Sequence, residues 1–68
     1  MKLKINNQEK QYDQNELSVQ QLLDIEIPHA QNGIAIAIND TIVSKSHWAS
    51  TPVQENADVL IIKATQGG

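Results

Sequence analysis

The feature that most limits the fold of this 68-residue sequence is the segment IAIAI at positions 34–38. Large Ile and small Ala alternate with period two, so an extended chain places all the isoleucines on one face. Asn-Gly precedes the segment and Asn-Asp follows it, and such pairs are typical of turns. The segment predicts a strand whose isoleucine face packs under a helix, followed by a second strand at 41–43.

The N-terminal segment KLKI at positions 2–5 alternates in the same way, with Leu3 and Ile5 on one face. Asn6 and Asn7 follow it, and Asn tolerates the left-handed backbone that tight hairpins require. We therefore expect residues 9–12 to pair antiparallel with the first strand.

One helix is indicated by the segment that begins at Leu17. Ser18 is suited to the N-cap position, and Gln21 completes a capping box with it. Leu17 can pack on Leu22 as a hydrophobic staple. The helix must end before Pro28, because a proline disfavours helical geometry in the residue before it. About two turns are therefore predicted.

Residues 44–52 show no periodicity and are expected to be irregular, and residues 59–63 form a last strand. The order is hairpin, helix, strand pair and final strand. A helix across one face of a mixed sheet of about four to five strands, with the last strand beside the first, is the ubiquitin-like β-grasp arrangement of the α+β class. We expect a β-grasp domain at 1–64 and a flexible Gly-Gly tail at 65–68.

The composition excludes several function classes. The sequence has no Cys, which removes disulfides, thiolate zinc sites and thiol nucleophiles. The net charge is −3 with only five scattered basic residues, which argues against a nucleic-acid partner. No apolar run approaches the roughly 20 residues of a membrane helix, and the N-terminus lacks a signal-peptide core. A cytoplasmic protein without a membrane partner is expected.

Few side chains form a catalytic or metal-binding pattern. His29 and His47 are far apart in sequence and are interpreted as surface or packing residues. Trp48 is interpreted as a packing residue, with an interface anchor as the alternative. Acidic residues flank the helix and indicate a solvated face: Asp13, Glu16, Asp24 and Glu26. The sequence therefore predicts neither an enzyme nor a metal site nor a bound cofactor.

The whole chain resembles the ubiquitin-like sulfur carriers, and most closely the ThiS family of thiamine biosynthesis. The similar stretches are SVQQLL at 18–23, IAIAIN at 34–39, Ile-Val at 42–43 followed by Trp48, and the terminal Gly-Gly at 67–68. Their order and spacing across the full chain carry the resemblance, rather than any one of them alone.

Two positions depart from the pattern of the family. Members often have an Asp-Gly-Asp turn before the last strand, where this chain has Asn56 in the sequence ENAD. Asn is the residue next most tolerant of positive φ after Gly. Members also often have Pro-Arg after the fourth strand, where this chain has Ser44 and Lys45. Lys keeps the positive charge but lacks the fork-shaped donor of Arg.

The resemblance implies that the C-terminus is the functional group. An E1-like adenylating enzyme (ThiF-type) uses ATP to adenylate the carboxylate of Gly68. Sulfur from cysteine, supplied by a cysteine desulfurase or a related source, displaces AMP and leaves a thiocarboxylate. Thiazole synthase (ThiG-type) then takes the sulfur into the thiazole ring of thiamine. The chain itself is a co-substrate of these enzymes.

The residues before Gly68 give the tail its reach. Thr65, Gln66 and Gly67 complete a segment that spans roughly 13 Å to the terminus when extended. Glycine lacks Cβ, so the end of the tail can pass through a narrow channel and leave the acyl carbon unshielded. The activating enzyme must also hold the folded domain, and we expect the exposed sheet face near the last strand, with Lys63 and Ile42, to meet it.

Two other functions share parts of this pattern. The small subunit of molybdopterin synthase has the same fold, tail and thiocarboxylate but donates its sulfur to a pterin. Its members tend to be longer and richer in aromatic residues than this chain. The second is a ubiquitin-like modifier, which is joined to lysines through its terminal glycine, here Gly68.

Overall fold

The computed structural model describes residues 1–29 and 31–63. Their helices and strands follow in chain order: β1 Lys2–Ile5, β2 Gln8–Gln11, β3 Leu17–Ser18, α1 Val19–Glu26, β4 Ile34–Ile38, β5 Thr41–Val43, a 3-10 helix Lys45–Ser50, β6 Pro52–Val53 and β7 Asp58–Lys63.

The main sheet has five strands in the order β2-β1-β7-β4-β5. The last strand lies in the centre, parallel to β1 and antiparallel to β4. The two outer pairs, β1 with β2 and β4 with β5, are antiparallel hairpins. This is the predicted mixed sheet of the β-grasp fold, with the last strand inserted beside the first.

The turns depend on Asn and Asp residues in left-handed backbone conformations. Asn6 and Asn7 have φ of 48° and 68°, and Asn39 and Asp40 have φ of 48° and 71°. Two successive residues with positive φ match the twist of a hairpin, so both predicted hairpins form. Asn56 has φ of 65° in the turn before β7, as expected where the family often places glycine.

Local sequence signals fix both ends of α1. The Ser18 hydroxyl accepts a hydrogen bond from the Gln21 amide at 3.1 Å, and the Gln21 side chain accepts one from the Ser18 amide at 2.9 Å. This is the predicted capping box. The helix ends at Glu26, two residues before Pro28.

The core lies between α1 and one face of the sheet, which we call the inner face. It is almost entirely aliphatic, and its fully buried large side chains are Leu3, Val19, Leu22, Leu23, Ile36, Val59 and Trp48. In β4 the side chain of Ile36 is buried in this cluster, and Ile34 and Ile38 pack against it from either side. The predicted packing of the isoleucine face of β4 is therefore confirmed.

The sequence predicted that the segment after β5 is irregular, and this prediction is wrong. The segment contains the 3-10 helix and then β6, which pairs with β3. Trp48 explains the difference. Its indole N–H donates to the carbonyl of Val43 at 3.0 Å while the ring is only 1% exposed. One buried aromatic ring thus holds a turn that is too short to show a period in the sequence.

Candidate functional site

The side of the sheet away from α1, the outer face, carries exposed apolar side chains in the last strand. Val59 and Ile61 of β7 belong to the core, whereas Leu60 and Ile62 point the other way and remain 45% and 47% exposed. Alternation along a strand fixes these directions. The apolar run VLII therefore serves both faces of the sheet, half of it for folding and half of it exposed.

The strand register joins these residues into one patch. Ala37 of β4 lies between Leu60 of β7 and Ile42 of β5, and Ala35 lies beside Ile62. Directly opposed residues have Cβ atoms about 5 Å apart, so the five side chains are neighbours. We call this group, with Ile42 at 64% exposure, the apolar patch.

The other half of the outer face is polar. Lys2 and Lys4 of β1 lie opposite Gln11 and Glu9 of β2, and the Lys2 ammonium is 3.9 Å from a Glu9 carboxylate oxygen. These side chains are exposed and form the polar half of the face. The apolar patch, in contrast, adjoins the end of β7 and thus the start of the predicted tail.

Lys63 lies on the opposite side of the sheet from Ile42, which corrects the expectation that the two share one exposed face. Lys63 pairs with Ile34, whose side chain packs on the core, so Lys63 is on the inner side of the sheet. There it lines a groove together with Lys10 and Glu26. Residues 61 and 63 share a side because strand side chains alternate with period two.

Trp48 is a packing residue of the core, as interpreted from the sequence, and not an exposed interface anchor. At 1% exposure, its ring has almost no surface for a partner. Lys45, at the position where the family often has Arg, donates to the Asn32 side-chain oxygen at 2.9 Å. Its ammonium lies 6.0 Å from the centre of the Trp48 ring. The ammonium group of Lys45 therefore contacts side chains of this protein, Asn32 by a hydrogen bond and Trp48 through its ring.

The sequence predicted that Glu26 is part of a solvated face, but the structure shows its carboxylate bound by two side chains, one from β2 and one directly after it. The Tyr12 hydroxyl donates to one carboxylate oxygen at 2.6 Å, and the Lys10 ammonium donates to the other at 2.7 Å. The carboxylate thereby ties the first hairpin to the end of α1.

These contacts shift the pKa of both acids. Burial, with the Glu26 hydrogen bond and charge, raises the Tyr12 pKa, so its hydroxyl keeps the proton that it donates. Burial alone would raise the Glu26 pKa, but the hydrogen bonds from Lys10 and Tyr12 and the Lys10 charge outweigh it. The pKa of Glu26 is therefore lowered, and the group is an anion at neutral pH.

Within residues 1–29 and 31–63, no cluster of three or more His, Cys, Asp or Glu side chains could hold a metal ion. In the same part of the chain, no helix has the length and apolar character needed to cross a membrane. The predicted acceptor Gly68 and the tail residues Thr65, Gln66 and Gly67 lie outside the described residues, as does the predicted domain boundary at 64. These remain predictions.

One contact near the end of β7, between Asn6 and Ile61, was not predicted from the sequence. The carboxamide of Asn6 binds the backbone of Ile61 twice: Nδ2 donates to the carbonyl at 3.2 Å, and Oδ1 accepts from the amide at 2.7 Å. The Asn-Asn pair signalled a turn, but no local pattern indicates a contact between residues 55 positions apart.

Comparisons with known proteins agree with this fold. The ThiS family model matches residues 3–68. The crystal structure of the thiamine biosynthesis protein ThiS from Geobacter metallireducens superposes with a TM-score of 0.88 at 20% identity, covering 100% of both chains. A solution NMR structure of a thiamine biosynthesis protein from the same organism gives 0.82 at 23% identity, covering 100% of this chain and 88% of that one.

No curated protein sequence matches the chain. The likeness to the two solved structures, at such low identity, shows the shared fold. The family model, in contrast, matches the sequence itself and covers nearly all of it, from β1 to the final glycine pair. This protein belongs to the ThiS family.

Proposed function

We propose that this protein is a sulfur carrier of thiamine biosynthesis, which holds sulfur as a thiocarboxylate at Gly68. The observation that carries the proposal is the family match over residues 3–68, which includes Gly67 and Gly68. The β-grasp domain acts as the part that partner enzymes recognise. The chain is then a co-substrate of those enzymes and not a catalyst.

The terminal carboxylate must be activated before sulfur can be attached. An α-carboxyl group has a pKa of about 3.3 to 3.7, so it is ionised at neutral pH and is a poor electrophile. In the proposed first step, a carboxylate oxygen attacks the α-phosphate of ATP, and pyrophosphate leaves. The product is an acyl adenylate, whose carbonyl carbon accepts a nucleophile. An E1-like adenylating enzyme (ThiF-type) would bind the ATP and catalyse this step.

Sulfur then replaces AMP on the acyl carbon. A C–S bond forms, the C–O bond to the phosphate breaks, and one original carboxylate oxygen leaves with AMP. If the sulfur arrives as a persulfide on a cysteine desulfurase or a related protein, a second thiol must cleave the S–S bond, and the two thiols leave as a disulfide. Thiazole synthase (ThiG-type) is the proposed acceptor of the sulfur, and the cytoplasm is the proposed location.

The apolar patch gives the activating enzyme a surface to hold. Ordering the backbone of a tail costs about 1 to 2 kcal/mol per residue, so contacts with the folded domain must offset several kcal/mol. Ile42, Leu60 and Ile62 are exposed without serving the core. Leu60 and Ile62 lie on β7 near its end, and Ile42 lies on β5, across β4 from them. We therefore place the docking surface of the activating enzyme on the apolar patch.

The test is the mass of the intact chain after loading. The protein is incubated with ATP, the adenylating enzyme, a cysteine desulfurase and cysteine. We expect the mass to rise by the difference between one sulfur and one oxygen atom. A chain lacking Gly68 is the control and should keep its mass. No mass change in the full chain, or the same change in the shortened one, would contradict the proposal.

A further inference from the structure

The end of β7 is held differently on its two sides. On one side, β4 pairs with β7 as far as Lys63, which lies opposite Ile34. On the other side, β1 pairs only with Asp58 and Val59, because β1 ends at Ile5 and the chain turns away. A central strand thus loses its neighbour on one side before its own last residues.

Asn6, the residue directly after β1, continues the contact with β7 beyond the last paired residue of β1. Its backbone amide donates to the Val59 carbonyl at 2.8 Å, and its carboxamide makes the two hydrogen bonds with the amide and carbonyl of Ile61. A carboxamide has the same donor and acceptor as a peptide group, so this side chain does what one more residue of β1 would do. We call this pair of hydrogen bonds the Asn6 clamp.

We propose that Asn6 is a positioning residue for sulfur loading, because the Asn6 clamp fixes β7 two residues before Lys63 and so sets the point from which the chain continues to Gly68. This inference rests on the proposed function, in which a partner holds the folded domain and the Gly68 carboxylate at the same time. If β7 could move away from β1 at Ile61, the distance between the docked domain and the reacting carboxylate would vary.

The turn and the clamp can be separated by mutation. Asn6 and Asn7 both have positive φ in the same turn, and glycine adopts this conformation at no steric cost. Asn6→Gly therefore keeps the turn and removes the clamp. Asn7→Gly is the matched control, since it makes the same change next door. Asn6→Asp keeps an acceptor for the Ile61 amide but replaces the donor to its carbonyl by a carboxylate oxygen.

Two measurements report on the Asn6 clamp. Hydrogen exchange of the Ile61 amide should be about tenfold faster in Asn6→Gly than in the wild type or in Asn7→Gly. In steady-state adenylation of the carrier with ATP and the adenylating enzyme, kcat for Asn6→Gly should fall at least about tenfold, because misplacement of a reacting group by about 1 Å can cost on the order of a hundredfold. The KM for the carrier should stay within about twofold, because the apolar patch is untouched. Asn6→Asp should lower kcat as well.

A merely structural role gives the opposite kinetic pattern. If Asn6→Gly only lowered the folded fraction of the carrier, KM would rise while kcat at saturation stayed constant. That result would overturn the inference, as would an unchanged exchange rate at Ile61 or a kcat reduced equally in Asn7→Gly. Failure of the proposed function is seen separately, in a wild-type carrier that gains no sulfur.

Discussion

In β7 the two faces of the sheet carry the same kinds of apolar residue at positions 59–62 but are used differently. In β7, Val59 and Ile61 on the inner face are buried, whereas Leu60 and Ile62 on the outer face are about half exposed. Burial of apolar area is what stabilises a small aliphatic domain. The inner residues are therefore explained by folding, and the outer ones are not.

An apolar strand such as β7 can therefore meet two separate requirements, one on each face of the sheet. The inner face must match the shape of α1 and the core, where each methylene is in contact with neighbours. The outer face has only to present an apolar surface, and such surfaces are typical of contacts with other proteins. The two faces should therefore respond to mutation in different ways, the inner through stability and the outer through recognition.

The largest effect is expected from truncation on the inner face. Ile61→Ala should lower the free energy of unfolding by about 3 kcal/mol, because it removes a buried side chain and leaves a cavity. Ile62→Ala is the matched control, with the same chemical change one residue away, and should cost about 0.5 kcal/mol. Urea denaturation measures both. Equal losses in the two variants would show that both faces of β7 contribute alike to stability.

A charge on the outer face should affect recognition more than stability. Ile42→Glu places a carboxylate on the most exposed large side chain of the proposed docking surface, and we expect the KM for adenylation to rise about tenfold. The free energy of unfolding should change by no more than about 0.5 kcal/mol, since Ile42 is largely exposed. Steady-state kinetics with the adenylating enzyme give the KM.

The polar half of the outer face supplies the control for this variant. Lys4→Glu also adds negative charge to the outer face but lies outside the apolar patch, and its KM should stay within about threefold of the wild type. Equal effects of the two substitutions would show that charge alone, and not the apolar patch, governs docking.

Most of the fold could be predicted because its signals are local. The pairs Asn-Asn at 6–7 and Asn-Asp at 39–40 set the hairpins. Ser18 and Gln21 set the start of α1, and the alternation in β4 set the buried face. The turn after β5 was not predictable in the same way. Its conformation depends on the hydrogen bond from the buried Trp48 indole to the Val43 carbonyl. The hydrophobic pattern of such a short segment does not indicate this hydrogen bond.

The candidate site was predicted less completely. Ile42 was placed on an exposed face, and the structure agrees. Lys63 was assigned to the same face, although the period of two already puts it on the side of Ile61 and Val59. The contacts of Glu26 and Asn6 join residues far apart in the chain. Such contacts depend on tertiary packing, and a single sequence carries no local signal for them.

The pH dependence of stability tests the role of the Glu26 carboxylate, which Lys10 and Tyr12 bind. Because the pKa of Glu26 is lowered by folding, its stabilisation is present above its unfolded pKa of about 4.3 and is lost as the pH falls through the lower folded value. Glu26→Gln should therefore be less stable than the wild type by about 1 kcal/mol at pH 7. The two should converge in strong acid, as measured by urea denaturation across pH. A constant difference down to acid pH would contradict this role of the carboxylate.

The smallest effect is expected at Lys63. Lys63→Glu changes the charge near the start of the tail, but on the inner side of the sheet and away from the apolar patch. The KM for adenylation should therefore rise by no more than about threefold, well below the effect of Ile42→Glu. A larger rise than in Ile42→Glu would move the docking surface to the groove beside Glu26.

Labelled sulfur, followed from the carrier to its acceptor, tests the proposed sulfur transfer most directly. The chain is loaded with sulfur from labelled cysteine, freed of the loading enzymes and mixed with thiazole synthase and its other substrates. A parallel sample receives the large subunit of molybdopterin synthase and its pterin substrate. We expect the label to leave the chain and enter the thiazole product, and to stay on the carrier in the parallel sample. Label that stays on the carrier with thiazole synthase, or that passes to the pterin, would contradict the proposed role.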